Sequence, residues 1–456
     1  MVEFFVWYSL NTAGIENMLE YFDASEVVIT LGLSMFVLGF AIGPLLWAPL
    51  SEMYGRQLLF ATTFGAFTAF SAGAAGSNNV ATLIITRFLA GTFGSSSLTN
   101  SGGVIADMFH SDDRGLAMTV FAAAPFMGPV LGPIIAGFLG QAAGWRWVLG
   151  FLAAFCGLMW IIGMFFVPET YAPVLLRKRA AQLSKHNGNT KVYRSAIDVH
   201  TGRKSLLELY KIGLSRPWQM LIFEPIVLIL SIYQAIIYGI LYLLFGAFPI
   251  VYRQKRGWSE GVSELAFLGI MIGMILSLIY FFFVDDYFFQ KTIRKTNGKP
   301  PPEARLPSLA LGGIILPIGL FWFSWTNSPN IHWMVSIAAG VPFGFGMVLI
   351  FQAGMNYLID SYVIFAASVL AASTVLRAAA GCAFPLFTPF MYDDLGIHWA
   401  SSIPAFLSLA CVPFPFLFMK YGARIRQKCK YAAEADTFMR MMRREHEQET
   451  NTETKT

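Results

Sequence analysis

"APFMGPVLGPIIAGF" fills residues 124–138, inside a run from 115 to 145 that contains no Asp, Glu, Lys or Arg. An uncharged run of that length reads as one helix. Yet it carries Pro125, Pro129 and Pro133, and with them Gly128, Gly132 and Gly137. In water, each interior proline removes a backbone donor and costs about 3 kcal/mol or more. In lipid, neighbouring helices, side chains and waters re-satisfy the freed groups. The three prolines stand four residues apart, so they share a face and weaken one side of the helix. Gly128 and Gly132 form a small-xxx-small pair that lets another helix approach closely. A bent packing helix and a gating element both fit this pattern.

The rest of the chain has the same character. Of its 456 residues 56% are hydrophobic and 13% charged, with mean hydropathy +0.57. Soluble domains usually carry about 25% charged residues, so this chain cannot cover itself with polar surface and most of it should face lipid. The net charge of +5 is modest, and no basic stripe interleaved with aromatics points to nucleic acid. Cys156, Cys382, Cys411 and Cys429 have neither disulfide-framework nor zinc spacing. No metal site and no cofactor is expected.

About 20 apolar residues cross a bilayer. Uncharged runs predict spans starting near residues 27, 58, 80, 115, 147, 225, 265, 307, 333, 361 and 399. Polar breaks at "SNN" (77–79) and "TNSPNIH" (326–332) divide the longest runs. The span from Val80 includes Arg87. Residues 4–14, "FFVWYSLNTAG", look like part of one more. Lys and Arg cluster in 168–218, in 286–305 and after Met419. These three segments fall on one side of the span count, which the positive-inside rule makes the cytoplasm. "RQKRGW" (253–258) falls on the other side and is outvoted. "GWRW" (144–147), "NIHW" (330–333) and "GIHW" (396–399) suit an aromatic belt at the opposite interface. The layout is an N-terminal transmembrane half (1–167), a cytoplasmic central loop (168–218) holding the polar linker "SKHNGNTK", a C-terminal transmembrane half (219–419) and a cytoplasmic tail (420–456). Two six-span halves are a common plan for secondary transporters, with the site between them near the midplane.

Several residues are candidates for chemistry. Glu52 and Arg56 flank Gly55 where the second span closes. They are either ordinary interfacial charges or a latch, in which a carboxylate meets a helix dipole and the guanidinium grips an acid such as Asp107. Arg87 sits inside a span, and an intramembrane arginine is a functional hypothesis by default. Arg377 raises the same question and reads as structural. Glu224 reads as a helix-start acid ahead of a proton carrier. Tyr233, Gln234 and Tyr238, and likewise Gln352 and Asn356, have helical spacing and could line a cavity. Helix-to-helix hydrogen bonding is the blander account of each. The six histidines fall in loops, links or the tail, and HExxH, GxSxG and P-loop patterns are absent, so an enzyme is not expected.

These segments resemble the major facilitator superfamily, in particular its fungal twelve-span drug:proton antiporters, close to polyamine and multidrug exporters. "LGFAIGPLLWAPLSEMYGR" (38–56) resembles the loop motif between spans two and three, "RFLAGTFGSS" (87–96) the span-four motif and "GPVLGPIIAG" (128–137) the span-five antiporter motif. "VPETYAPVLLRKRA" (167–180), "PPEARLP" (301–307) and "IHWASSIPAFLSLACVPFPFLF" (397–418) resemble subgroup signatures. The resemblance implies an all-α membrane protein with two six-helix halves, proton-coupled efflux of small organic compounds by alternating access, and no enzyme activity. It makes Glu52, Arg56 and Asp107 the latch, Arg87 part of the coupling machinery, and Gly128, Pro129, Gly132 and Pro133 the antiporter element. Gln57 stands where a second basic residue is usual, which loosens the latch, and Ala136 replaces a common glycine.

The expected partners are a small-molecule substrate, protons and the lipid bilayer, with a monomer in the plasma membrane and a cytoplasmic C-terminus. A drug, toxin or secondary metabolite suits the aromatic-rich chain. A polyamine exporter and a non-transporting sensor or decayed pump are the alternatives. A helix from Phe4 to Gly14 covers roughly 16 Å at 1.5 Å per residue. The first span is therefore expected to be incomplete and transport by this chain to be poor.

Overall fold

The structure, a computed structural model, describes residues 15–108, 127–128, 130–186, 193, 195, 199, 205–296 and 300–437, with backbone alone at 15–17, 52, 98, 99, 102, 103 and 106. Every regular element among them is helical. The longer ones are α1 (Ile15–Phe22), α2 (Glu26–Tyr54), α3 (Arg56–Ala75), α4 (Val80–Met108), α5 (Val130–Ala143), α6 (Trp145–Phe166), α7 (Ala172–His186), α8 (Leu206–Phe223), α9 (Pro225–Phe248), α10 (Phe267–Tyr280), α11 (Asp286–Lys295), α12 (Leu306–Thr326), α13 (Gly340–Tyr362), α14 (Ala366–Cys411) and α15 (Pro413–Lys428), with shorter helical turns between some of them. Span starts expected near 27, 58, 80, 147, 225, 265 and 307 coincide with helix starts to within two residues. The first part of the run from 115, with Pro125 and Pro129, lies outside the described residues, as do residues 1–14, where the first span was expected.

Seven helical segments among the described residues are long and apolar enough to cross a membrane. The last, Trp333–Lys428, runs for 96 residues. A straight helix of that length would be several times longer than a bilayer is thick, so it must turn back. It breaks at Val363, where φ is near 1°, and at Gly396, where φ is 70°. Positive φ favours glycine, and Gly396 opens the "GIHW" link.

Two compact units divide the packing. The first comprises Met1–Leu214, Tyr242–Phe267 and Gly381–Phe390. In it α2 and α4 cross at glycines: Gly39 lies against the backbone of Phe88 and Thr92, and Gly91 against that of Phe36. Only residues without a Cβ permit that approach. Several polar side chains are satisfied by the backbone of a neighbouring helix. Trp47 Nε1 donates to the Thr92 carbonyl at 2.6 Å, Trp160 Nε1 to that of Ala61 at 2.7 Å, and Ser34 Oγ to that of Cys382 at 2.8 Å. At one end Met18, Ile29, Ala74, Leu83 and Leu149 enclose Trp145. Trp145 is thus a core residue and not part of the expected belt, whereas Trp147, two positions on, is 67% exposed.

The second unit comprises Ser215–Leu241, Leu268–Ala380 and Met391–Thr456. Here α12 and α13 meet at Gly312 and Gly346. Helix α15 continues beyond Met419 to Lys428, and a further helix covers 430–437, so the expected tail begins as ordered structure. The central loop is likewise helical at α7 and in much of α8, while 187–192, containing most of the polar linker, lies outside the described residues.

Candidate coupling site

The turn between α2 and α3 is built around Gly55. Its φ is +96°, and a Cβ there would run into the Glu169 carboxylate. That carboxylate sits on the start of α3. It accepts from the backbone N–H of Arg56 at 3.0 Å and of Gln57 at 3.3 Å, and from that of Tyr171 at 2.9 Å. The first amides of a helix have no intrahelical partner and attract negative charge, so Glu169 caps α3 from 113 residues away. Arg56 is thereby aimed at the end of α4, where its Nε donates to Asp107 Oδ2 at 2.7 Å. Its guanidinium also lies 5.2 Å from the ring of Tyr171.

The expected pair of Arg56 and Asp107 is therefore brought together. Glu52 lies on α2, and its side chain is outside the described part. Gln57 turns to a cavity of about 280 Å³ among α3, α4 and α6, whose walls include Phe60, Phe64, Ser101, Trp160 and Met164.

Arg87 lies on α4 two turns beyond Val80 and is 1% exposed. Gly91, one turn further, meets Phe36 of α2, and Ser95, another turn on, meets Gly43. Arg87 thus occupies the register of α4 that crosses α2. Gly128, Gly132 and Pro133 are buried, and Pro129 lies outside the described residues. At the other end of α5, Gly137 packs on Glu264, Phe138 on Gly261, and Gln141 Oε1 accepts from Gly261 N at 3.0 Å.

In the second unit the candidate cavity residues separate. Tyr233 and Gln234 are fully buried. The Tyr233 hydroxyl packs at Gly313, and Gln234 accepts from Ser373 Oγ at 2.8 Å while resting on Gly354. They are placed in helix packing and not on an open wall, because neighbouring helices close over them. Tyr238, Gln352 and Asn356 are half-buried. Arg377 lies 5.9 Å from the Tyr238 ring and 5.5 Å from that of Phe351, within cation–π range. Its Nη2 donates to Thr374 at 2.8 Å. The sequence tied Arg377 to no partner; the fold gives it two aromatic rings.

Residues 1–385 match the Major Facilitator Superfamily. The chain belongs to that family. It is 61% identical over 434 residues to the "Major facilitator superfamily multidrug transporter mdrA" of Aspergillus fumigatus, covering 95% of this chain and 71% of that one. It is 61% identical to the "MFS-type efflux pump MFS2" of Trichophyton rubrum, over 95% and 72% of the two chains, and 54% identical to "Efflux pump FUB11" of Gibberella moniliformis, over 96% and 73%. The fold is similar to that of the xylose transporter XylE from E. coli, with TM-score 0.64, 18% identity, and coverage of 91% of this chain and 95% of that one. This facilitator is an integral multi-pass membrane transporter of the efflux kind, and not an enzyme.

The facilitator carries a second charge pair that sequence reading missed. Arg305 stands just before α12 and donates to Asp360, near the end of α13, at 3.2 Å. Arg56 likewise begins α3, and Asp107 likewise ends α4. The partners stand 51 residues apart in the first pair and 55 in the second. Glu303 takes Arg426 of α15 through three contacts of 2.8–3.1 Å. The signal was present in "PPEARLP", whose Arg305 precedes an apolar run as Arg56 does. Glu169 was also in view, in "VPETY", but nothing local showed which helix it would cap.

Proposed function

We propose that this facilitator exports small organic compounds in exchange for protons by alternating access, as a monomer in the plasma membrane with its C-terminus cytoplasmic. The bridge between Arg56 and Asp107, with α3 capped by Glu169, is the reading's main support. One partly buried ion pair ties the start of one span to the end of the next, beside a chain reversal that only glycine adopts easily. Such a pair holds two helix ends together in one state and must part if they separate in another. Gly132 and Pro133 belong to the antiporter element, and Arg87 to the coupling machinery. The relatives named multidrug transporters and efflux pumps favour drugs, toxins or secondary metabolites as cargo.

The test is flux by purified protein in vesicles with an imposed proton gradient, using a panel of apolar and cationic compounds. Gradient-dependent movement of at least one compound is expected. Binding without flux for every compound bound would overturn the proposal in favour of a sensor.

Arg56→Ala should shift the balance of states and leave compound binding intact. Ion pairs still open to solvent, as this one is on both sides, contribute about 0.2–1 kcal/mol, a change of up to roughly fivefold in the ratio of two states. Cysteine labelling from the cytoplasmic side should accelerate by that order, and identical labelling of both proteins would count against a latch.

Gly132→Leu should slow transport more than the same change at Gly150, where an added Cβ meets nothing within 4 Å. Gly132 is buried, and a leucine there would push its neighbours away. Equal flux from the two variants would make α5 a tolerant packing helix.

A further inference from the structure

Glu224 stands immediately before α9 and is 0% exposed. Its Oε2 accepts from the Tyr362 hydroxyl at 2.9 Å, and its Oε1 from the backbone N–H of Tyr431 at 2.8 Å. The Cys429 thiol hydrogen-bonds to the same carboxylate. A buried carboxylate is costly unless its lone pairs are filled, and here three donors fill them. Each donor comes from outside α9. Tyr362 ends α13, while Cys429 and Tyr431 follow α15.

The segment that supplies Tyr431 is packed down along its length. Cys429, at the bend after α15, and Ala432 and Ala435 on the 430–437 helix are buried at a spacing of three. The Tyr431 hydroxyl donates to Gln219 Oε1 at 2.7 Å, and its ring meets Phe365 edge-on at 5.1 Å. Arg216 lies 5.2 Å from the same Phe365 ring.

These contacts join the second charge pair into a closed ring. Tyr362 is two residues beyond Asp360, which pairs with Arg305. Glu303, two residues before Arg305, holds Arg426. Arg426 leads along the chain to Tyr431, which returns to Glu224. No link of the ring uses a residue of the first unit.

We propose that Glu224 is a positioning residue: it clamps residues 429–437 to the second unit and, through Tyr362, holds the end of α13 where Asp360 meets Arg305. The segment after α15 is then a working part of the transporter's second unit. Glu224, at the start of α9, thus accepts from three donors on two other elements, the end of α13 and the segment after α15.

Cys429 reports on the clamp without any added label site. Burial, and after it the Glu224 carboxylate, push its thiol up to about 12, so its closed-state reaction is slow. Purified full-length protein in detergent is treated with a maleimide, and modification is followed on the peptide containing Cys429. Glu224→Ala should raise the labelling rate at least about tenfold, as local opening becomes easier. Glu224→Gln keeps an oxygen for the Tyr431 amide and an N–H for the Tyr362 oxygen, and should return the rate to within about twofold of wild type. Tyr362→Phe leaves the carboxylate beside the thiol, so it separates opening from thiol acidity, and it carries the test if Glu224→Ala fails to fold. Hydrogen exchange at 358–362 should quicken in Glu224→Ala and Tyr362→Phe but not in Tyr431→Phe, which loses only the bond to Gln219. Unchanged Cys429 labelling in Glu224→Ala, or unchanged exchange at 358–362 in Tyr362→Phe, would overturn the proposal.

Discussion

Arg87→Ala is expected to abolish gradient-driven efflux while leaving the protein in the membrane. Arg87 is seven residues into α4, about 10 Å along its axis at 1.5 Å per residue, and it is 1% exposed. An arginine at the centre of a spanning helix opposes insertion by roughly 2.5–3.5 kcal/mol, so its removal should ease insertion. What is lost is a charged donor on the face where α4 crosses α2. Hydrogen bonds to charged groups contribute about 1.5–3 kcal/mol each, which is roughly 10- to 150-fold in a rate if the bond acts in the transition between states. Membrane content measured by immunoblot should match wild type, and efflux should fall by about two orders of magnitude. A well-inserted Arg87→Ala protein that transports at the normal rate would sink the assignment of Arg87 to coupling.

Gly91→Leu is expected to prevent a stable fold. Gly91 faces the Phe36 backbone, and the first side-chain carbon would run into the Phe36 carbonyl. Backbone cannot rotate away as a side chain can. The strain extends along the crossing, because Gly39 meets Phe88 and Thr92, and Gly43 meets Ser95, on the same pair of helices. Overpacking a well-packed site costs about 1–3 kcal/mol and occasionally more, and here the obstacle is main chain on a helix buried along most of its length. Thermal unfolding in detergent should show a large loss of stability or no monodisperse protein. Gly91→Ala should fall between Gly91→Leu and wild type. Gly163→Leu on α6, where an added Cβ meets nothing within 4 Å, should leave the melting temperature nearly unchanged. Wild-type stability in Gly91→Leu would mean that the α2–α4 crossing is much looser than its glycines indicate.

Among the described residues, the placement of most spans was determined by the sequence alone. A span is a local quantity: its cost in water is summed over consecutive residues, so uncharged runs and their polar breaks locate it. The reversal at "SNN", the link after Thr326 and the break at Gly396 are all legible for that reason. Arg56 and Asp107 were legible in part, since charges at span ends have few places to go. The partners of these charges were decided by tertiary structure. Glu169 caps α3, Arg305 meets Asp360, and Glu224 gathers Tyr362, Cys429 and Tyr431 only because helices far apart in the chain end side by side. Whether an aromatic or amide faces open space was decided there too. Tyr233, Gln234 and Trp145 have helical or interfacial spacing like Tyr238 and Trp147, yet they are enclosed. Spacing along one helix fixes which residues share a face, whereas burial of that face depends on the neighbour that crosses it.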